Sequence, residues 1–376
     1  MTATSKPSTY IPGLDGLRAI AFLLVFGAHS LPDRSYYIPA TLGVTIFFFL
    51  SGFLITTLLR KELGATGTIS LRDFYIRRTL RIFVPLYLVY ALTAACAHFM
   101  LHESPGNGFG AASVLLFFHN YTIALRAHAF VPEGLEVVWS LAVEEHFYLL
   151  FPLVYLTLSR RKVAPRNQTR LLAAFCLLEL AWRWANWSLL HHTGGWNYIA
   201  TDTRLDSILW GSILALRNNP VFANAQPHPD KSILPRKHPL AACALAVVVL
   251  VATLVPRNFV YRDTLRYTLQ ALALYVIFSY VVAGTRHPAV RWLEWTPLRY
   301  IGWTSYVLYL SHGFLIHCME LLVPGRLWLS SLLGLALALL FATLLRYTLE
   351  LPLQHLRARY RHPPPPLPGD AALDVS

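Results

Sequence analysis

Asp15, Arg18 and His29 all fall in one otherwise apolar stretch, Leu14–Ser30, where a lipid bilayer should reject them. An ionisable group inside a membrane span is costly unless paired or hydrated, so each is a functional candidate. Asp15 and Arg18 stand three apart and can meet on one helix face. Arg18 and His29 stand eleven apart, almost three whole turns, so both project to one side. At 1.5 Å per residue they lie roughly 16 Å apart along the axis. An imidazole titrates near working pH and can act as base or nucleophile. A guanidinium can grip an anion. The structural alternative makes Asp15 and Arg18 interfacial anchors and His29 the mark of the bilayer exit. Asp33 lies four beyond His29, but Pro32 interrupts the helix, so it has little weight as an orienting group.

Further polar residues sit in or beside apolar stretches. Ser70 to Pro85 (SLRDFYIRRTLRIFVP) spaces Arg72, Arg77, Arg78 and Arg81 among apolar residues, the pattern of an interfacial amphipathic helix. Arg78 and Arg81 can clamp one polyanion, with Arg77 beside them; lipid-phosphate anchoring is the alternative. The stretch WSLAVEEHFYLLFP carries Ser140, Glu144, Glu145, His146 and Tyr148. Glu144 shares a face with both Ser140 and Tyr148, and can orient an imidazole or pair with an arginine. Arg204 and Asp206 flank a later apolar run, and Tyr306, Tyr309 and His312 form a stripe spaced by three. No G-x-S-x-G elbow and no P-loop occurs.

The elements that must position these groups follow from composition. Of 376 residues 55% are apolar and 14% charged, against about a quarter charged in soluble domains. Apolar content and 13% aromatics exclude a disordered chain. The fold class is an all-α polytopic membrane protein with about ten transmembrane helices, read at Leu14–Ser30, Gly43–Leu59, Ile82–Leu101, Val137–Leu158, Leu171–Leu190, Thr203–Leu216, Pro239–Pro256, Tyr267–Gly284, Tyr300–Met319 and Leu327–Leu345. Ala112–Leu125 is too short to cross and reads as a re-entrant or interfacial piece.

Basic residues set the orientation. The segments after the second and fourth spans hold Arg60, Lys61, Arg72, Arg77, Arg78 and Arg81, then Arg160, Arg161, Lys162, Arg166 and Arg170. Those after the first and third hold only Arg34 and Arg126. Both termini are therefore expected in the cytoplasm. The net charge of +13 reflects this signal and contact with anionic lipid, not nucleic-acid binding. Residues 1–9 form an N-terminal cytoplasmic tail, 10–352 the membrane domain and 353–376 a Pro-rich tail expected to be disordered. Cys96, Cys176, Cys243 and Cys318 each sit alone in an apolar stretch and read as packing residues, with no metal site expected.

The segments YIPGLDGLRAIAFLLVFGAH, GVTIFFFLSGFLI, FYIRRTLRIFVP, WSLAVEEHFYLLFP, TRLDSILWG and SYVLYLSH resemble, in order and spacing, the membrane acyltransferase 3 family of bacterial glycan O-acyltransferases. The resemblance runs from about Tyr10 to Pro352. It implies that His29, with Arg18, is the catalytic pair, that Arg78 and Arg81 handle the acyl donor, and that Glu144 belongs to the site. The family often has His-x-Pro in the ninth span; here Gly313 and Phe314 follow His312, so the family's role is not carried to it, and His312 stands with Ser140, Arg204, Asp206, Tyr306 and Tyr309 as a candidate substrate- or donor-binding residue. The implied reaction moves an acyl group, acetyl first, from cytoplasmic acyl-CoA to a hydroxyl of an extracytoplasmic glycan. Acyl-CoA is a donor substrate, not a bound cofactor. The bacterial cytoplasmic membrane is the implied location, and membrane lipids are further partners. Some members carry an extra SGNH-type hydrolase domain; this chain ends too soon after the tenth span to hold one, so it is expected to complete transfer itself or with a partner. A transporter or flippase for a polar glycan would use the same intramembrane Arg, His and Glu equally well.

Overall fold

The computed structural model describes residues 11–31, 38–126, 130–190, 195–222, 239–256, 258–283 and 288–360. The N-terminal tail, Asp33 and the proline run after His362 lie outside them. Among the described residues there is no strand. Ten longer helices carry the fold: α1 (Leu14–Ser30), α2 (Ala40–Thr66), α3 (Leu71–Phe99), α4 (Trp139–Arg160), α5 (Pro165–Ser188), α6 (Leu205–Arg217), α7 (Pro239–Ala252), α8 (Leu265–Ala283), α9 (Thr296–Leu322) and α10 (Leu327–Leu345). Each coincides with one predicted span. Among the described residues five helices are long and apolar enough to cross a membrane: α2, α3, α4 with its preceding turn, α8, and α10 with its extension to Ala358.

Local sequence sets the helix ends. Gly67, at φ +73°, closes α2 and bonds back to the Leu63 carbonyl. Ser70 caps α3 by accepting from the Asp73 amide at 3.3 Å. The arginine-rich segment is not a separate interfacial helix: it forms the first turns of α3, which runs on through Pro85. The predicted re-entrant piece is two short helices, Gly108–Leu115 and His119–Arg126, broken where Phe117 takes a positive φ. At the other end α10 passes through a π turn, Arg346–Glu350, into a helix that lasts to Ala358, six residues beyond the boundary drawn at Pro352.

α1, α2, α6 and α9 are the inner helices. In α2, 78% of the apolar window is buried, against 28% in α10, whose Leu332, Leu340 and Leu344 face outward as lipid-facing residues do. α2 and α6 approach backbone to backbone. A Cβ on Gly52 would sit 1.8 Å from the Ile208 carbonyl oxygen, and one on Gly211 2.0 Å from that of Phe49. Only glycine at both positions allows this crossing.

Side-chain contacts give the helix directions. Asp15 reaches Trp303 and His29 reaches His312, so α1 and α9 run parallel. Arg204 beside α6 bonds Thr45, and Asn219 just past it bonds Thr57, so α2 and α6 are parallel too. Tyr300 meets Thr343 and Ser331 meets Ser30, so α10 runs against α1 and α9. The four cysteines are free; Cys96 and Cys318 pack together with Ala97 and Phe314.

Candidate active site

His29 ends α1 on a stripe with Phe22 and Phe26 and meets His312 of α9. The two imidazole rings stand 5.1 Å apart, with His312 Nε2 3.2 Å from His29 Nδ1. His29 Nδ1 also lies 3.0 Å from the Val25 carbonyl. His312 is 0% exposed, walled by Phe22 and Phe26, and its Nδ1 lies 2.8 Å from the Tyr309 carbonyl. His29 is exposed. Tyr309 meets Ser140 hydroxyl to hydroxyl at 2.8 Å, and the Val137 carbonyl lies 3.2 and 3.1 Å from the two oxygens, so one hydroxyl donates to the other and the second to the carbonyl. The loop before α4 presses its Gly134 backbone onto α9, where a Cβ on Gly313 would lie 2.5 Å from the Gly134 oxygen.

A second group gathers where α1, α2, α3 and α4 converge. Arg18 pairs with Asp15 at 3.3 Å, and the other Asp15 oxygen accepts from Trp303 Nε1 at 2.7 Å. Arg81, Glu144 and Tyr148 lie within electrostatic reach of Arg18. The Tyr148 hydroxyl bonds Glu144 at 2.6 Å and Ser51 at 2.9 Å. The Arg78 guanidinium lies over the Tyr148 ring at 5.3 Å and the Phe74 ring at 5.6 Å, with Glu145 nearby. Arg81 remains exposed. The arrangement offers two arginine forks for a polyanion, with Glu144 fixed by its tyrosine behind them.

Other candidates are placed elsewhere. Arg77 pairs with Glu62 at 2.9 Å and bonds the Tyr360 carbonyl, so its donors are taken up away from Arg78 and it is not part of this arginine fork. Tyr306 is spent on the Ile82 carbonyl at 2.7 Å. Arg204 and Asp206 sit in a separate, fully buried cluster. Asp206 pairs with Arg183 at 2.7 Å and accepts from Thr268 at 2.8 Å. Arg204 stacks on Tyr267 at 4.1 Å and donates to Thr45 at 3.2 Å and the Tyr198 carbonyl at 3.1 Å. Its partners lie on α2, α8 and the loop before α6, not on α1 or α9.

Sequence reasoning missed Ser51 and Trp303, because each acts across helices distant in the chain. It also gave no role to Arg183, whose partners Asp206 and Glu179 lie beside it in the fold. A Ser113–His119 pair at 2.9 Å also went unread. Both residues are fully buried, and burial pushes the His119 imidazole down to about 4, so it is neutral and closed to substrate. Among the described residues no group of three or more His, Cys, Asp or Glu is arranged to hold a metal.

A helical membrane fold with an open imidazole and an arginine fork on one helix fits an acyltransferase. The chain belongs to the acyltransferase 3 family, whose acyltransferase domain matches residues 11–347. Peptidoglycan O-acetyltransferase OatA of Listeria monocytogenes is 29% identical over 323 residues, covering 81% of this chain and 49% of that protein. YrhL of Bacillus subtilis, provisionally named a peptidoglycan O-acetyltransferase, is 32% identical over 320 residues, covering 81% of this chain and 48% of its own. A Staphylococcus aureus protein provisionally named an O-acetyltransferase is 30% identical over 329 residues, covering 82% and 51%. The chain thus spans about half the length of the curated relatives it matches. No solved structure matches it.

Proposed function

We propose that this chain is an integral-membrane O-acetyltransferase that moves acetyl from acetyl-CoA, entering from the cytoplasm, to a hydroxyl of a cell-envelope glycan. Peptidoglycan is the first acceptor to test, because the relatives' names point to it. One observation carries the reading: α1 bears Arg18 among the arginines and carboxylates of α3 and α4, and eleven residues on bears an exposed imidazole. A thioester whose phosphates are held by Arg78 and Arg81 can extend its flexible arm along α1 toward His29. The relative directions of α1, α2, α6, α9 and α10 are those of ten crossings; the excess of basic residues in alternate loops supports cytoplasmic termini, and the bacterial inner membrane is part of the same reading.

The chemistry needs one basic nitrogen. His29 Nε2 takes the proton of the acceptor hydroxyl as its oxygen attacks the thioester carbonyl. The carbon–sulfur bond breaks, and the thiolate leaves with the proton returned by the imidazolium, giving free CoA thiol and the acetyl ester. In the covalent variant the same nitrogen carries the acetyl group between the two exchanges. Arg18 and Glu144 act at the donor end, and Asp15 and Trp303 hold Arg18 in place.

The test follows labelled acetyl from acetyl-CoA into peptidoglycan by the purified full chain in lipid. Transfer by the wild type, and its loss in His29→Ala at equal expression, is the expected result. Full transfer by His29→Ala removes the site assignment. Glycan movement across the bilayer without any acetyl donor would favour a transporter instead.

A further inference from the structure

The two imidazoles at the end of α1 are not equivalent, and their protons can be assigned from their partners. His312 is sealed from water, and its polar neighbours are the Tyr309 carbonyl, the Leu308 carbonyl and His29. With no carboxylate against it, a charged ring there would be costly, so His312 is neutral. A carbonyl only accepts, so the proton of His312 sits on Nδ1, toward Tyr309. Its Nε2 is then a bare lone pair, 3.2 Å from His29 Nδ1. Two lone pairs do not bond, so His29 carries its proton on Nδ1. The Val25 carbonyl, 3.0 Å from the same nitrogen, requires the same assignment. The Val25 carbonyl also serves the backbone bond of its own helix, and its direction is set by α1 alone. Only His312 brings an acceptor from a second helix, fixing the ring plane as well as the tautomer. The close Gly134–Gly313 contact and the aromatic walls hold His312 still.

The geometry points to His312 as the positioning residue of the reaction: its Nε2 holds the Nδ1 proton of His29 and leaves His29 Nε2 as the reacting atom. This rests on the reading of His29 as the reacting group. His29 Nε2 has no protein partner among the described residues, and its ring is exposed. When Nε2 gains a proton or an acetyl group, positive charge spreads to Nδ1–H, and the His312 lone pair answers it. That is the part a carboxylate plays in a triad, played here by a neutral ring that brings no second buried charge.

The experiment uses the full chain in lipid with acetyl-CoA and a soluble peptidoglycan oligosaccharide. His312→Met keeps the volume and removes the acceptor; His312→Gln keeps an acceptor oxygen at similar reach. We expect His312→Met to lower kcat roughly 10–100-fold, the usual cost of losing a partner that orients a histidine. KM for acetyl-CoA stays unchanged, and His312→Gln recovers most of the loss. A wild-type kcat in His312→Met, or a folded His312→Gln no better than His312→Met, overturns the assignment. Diethylpyrocarbonate, which acylates an unprotonated imidazole nitrogen, gives a readout on the wild type that needs no variant to fold. Rapid modification of His29 with His312 spared supports the tautomer, and an unreactive His29 overturns it. The two readings fail separately: full transfer by His29→Ala ends the assignment of His29 as the reacting group, whereas loss there beside an unaffected His312→Met ends only this inference.

Discussion

Arg183 and Asp206 meet at 2.7 Å with both side chains sealed from solvent; His29 and His312 meet at 3.2 Å with one ring sealed and one exposed. Both pairs place costly polar groups among apolar helices. In the first, Asp206 accepts from Arg183, Thr268 and Ser207, while Arg183 also donates to the Thr203 carbonyl. That pair, with Glu179 4.0 Å from Arg183, is closed off from solvent and locks α5, α6 and α8 together. In the second, the chain of bonds from Tyr309 through His312 to His29 stops one nitrogen short. A buried polar group in a membrane fold therefore marks a site when it leaves a valence open to a cavity or surface, not merely by being there. The general rule that intramembrane charges are functional applies to both and does not separate them.

The sharpest way to break this contrast is to exchange the expected effects. His29→Ala should lower acetyl transfer about 10²–10⁴-fold, the usual range for a general base, with an unchanged melting transition. Arg183→Met should do the reverse. It leaves Asp206 and Glu179 without their arginine, which costs about 3–5 kcal/mol, so the transition in detergent falls while transfer per folded molecule holds. Arg183→Met combined with Asp206→Leu and Glu179→Leu should regain most of that stability, because apolar replacement of a whole buried ion cluster is often neutral or better. If Arg183→Met removed transfer without touching the melting transition, the cluster would belong to the site after all.

A smaller effect is expected at the arginine fork. Arg78→Ala with Arg81→Ala should raise KM for acetyl-CoA roughly tenfold or more, since a charge-assisted hydrogen bond contributes about 1.5–3 kcal/mol. Measured donor affinity equal to wild type would return both residues to lipid anchoring.

What the sequence made legible is what lies within one helix. The apolar runs mark the positions of the ten longer helices. The i,i+3 spacing of Asp15 and Arg18 is a real pair at 3.3 Å, and the i,i+4 spacing of Glu144 and Tyr148 a hydrogen bond at 2.6 Å. Spacing also misled. Ser140 shares a face with Glu144, but its hydroxyl is taken by Tyr309 of α9. The stripe of Tyr306, Tyr309 and His312 is divided among α3, α4 and α1, because a helix at the centre of a bundle meets a different neighbour at each level. The pairing of His29 with His312 spans 283 positions, and nothing local encodes it.

The run RRTLR gives the finest form of the comparison, because it divides open from closed between adjacent residues. Successive helix positions differ by about 100°. Arg81 therefore lies about 40° round the helix from Arg77 and about 60° from Arg78, and the three divide by partner: Arg78 lies over Tyr148 and Arg81 within reach of Arg18, while Arg77 turns to Glu62 and the Tyr360 carbonyl. Arg77 is answered like Arg183, but at a partly exposed rim, where such a pair contributes only about 0–1 kcal/mol. Arg77→Ala should therefore leave KM for acetyl-CoA unaltered and lower the melting transition by a degree or so at most. A donor KM that rises in Arg77→Ala as far as in Arg78→Ala would mean that the phosphates are gripped by overall positive charge at this end of α3. A KM that separates the two neighbours would mean that they are gripped by the geometry of one helix face.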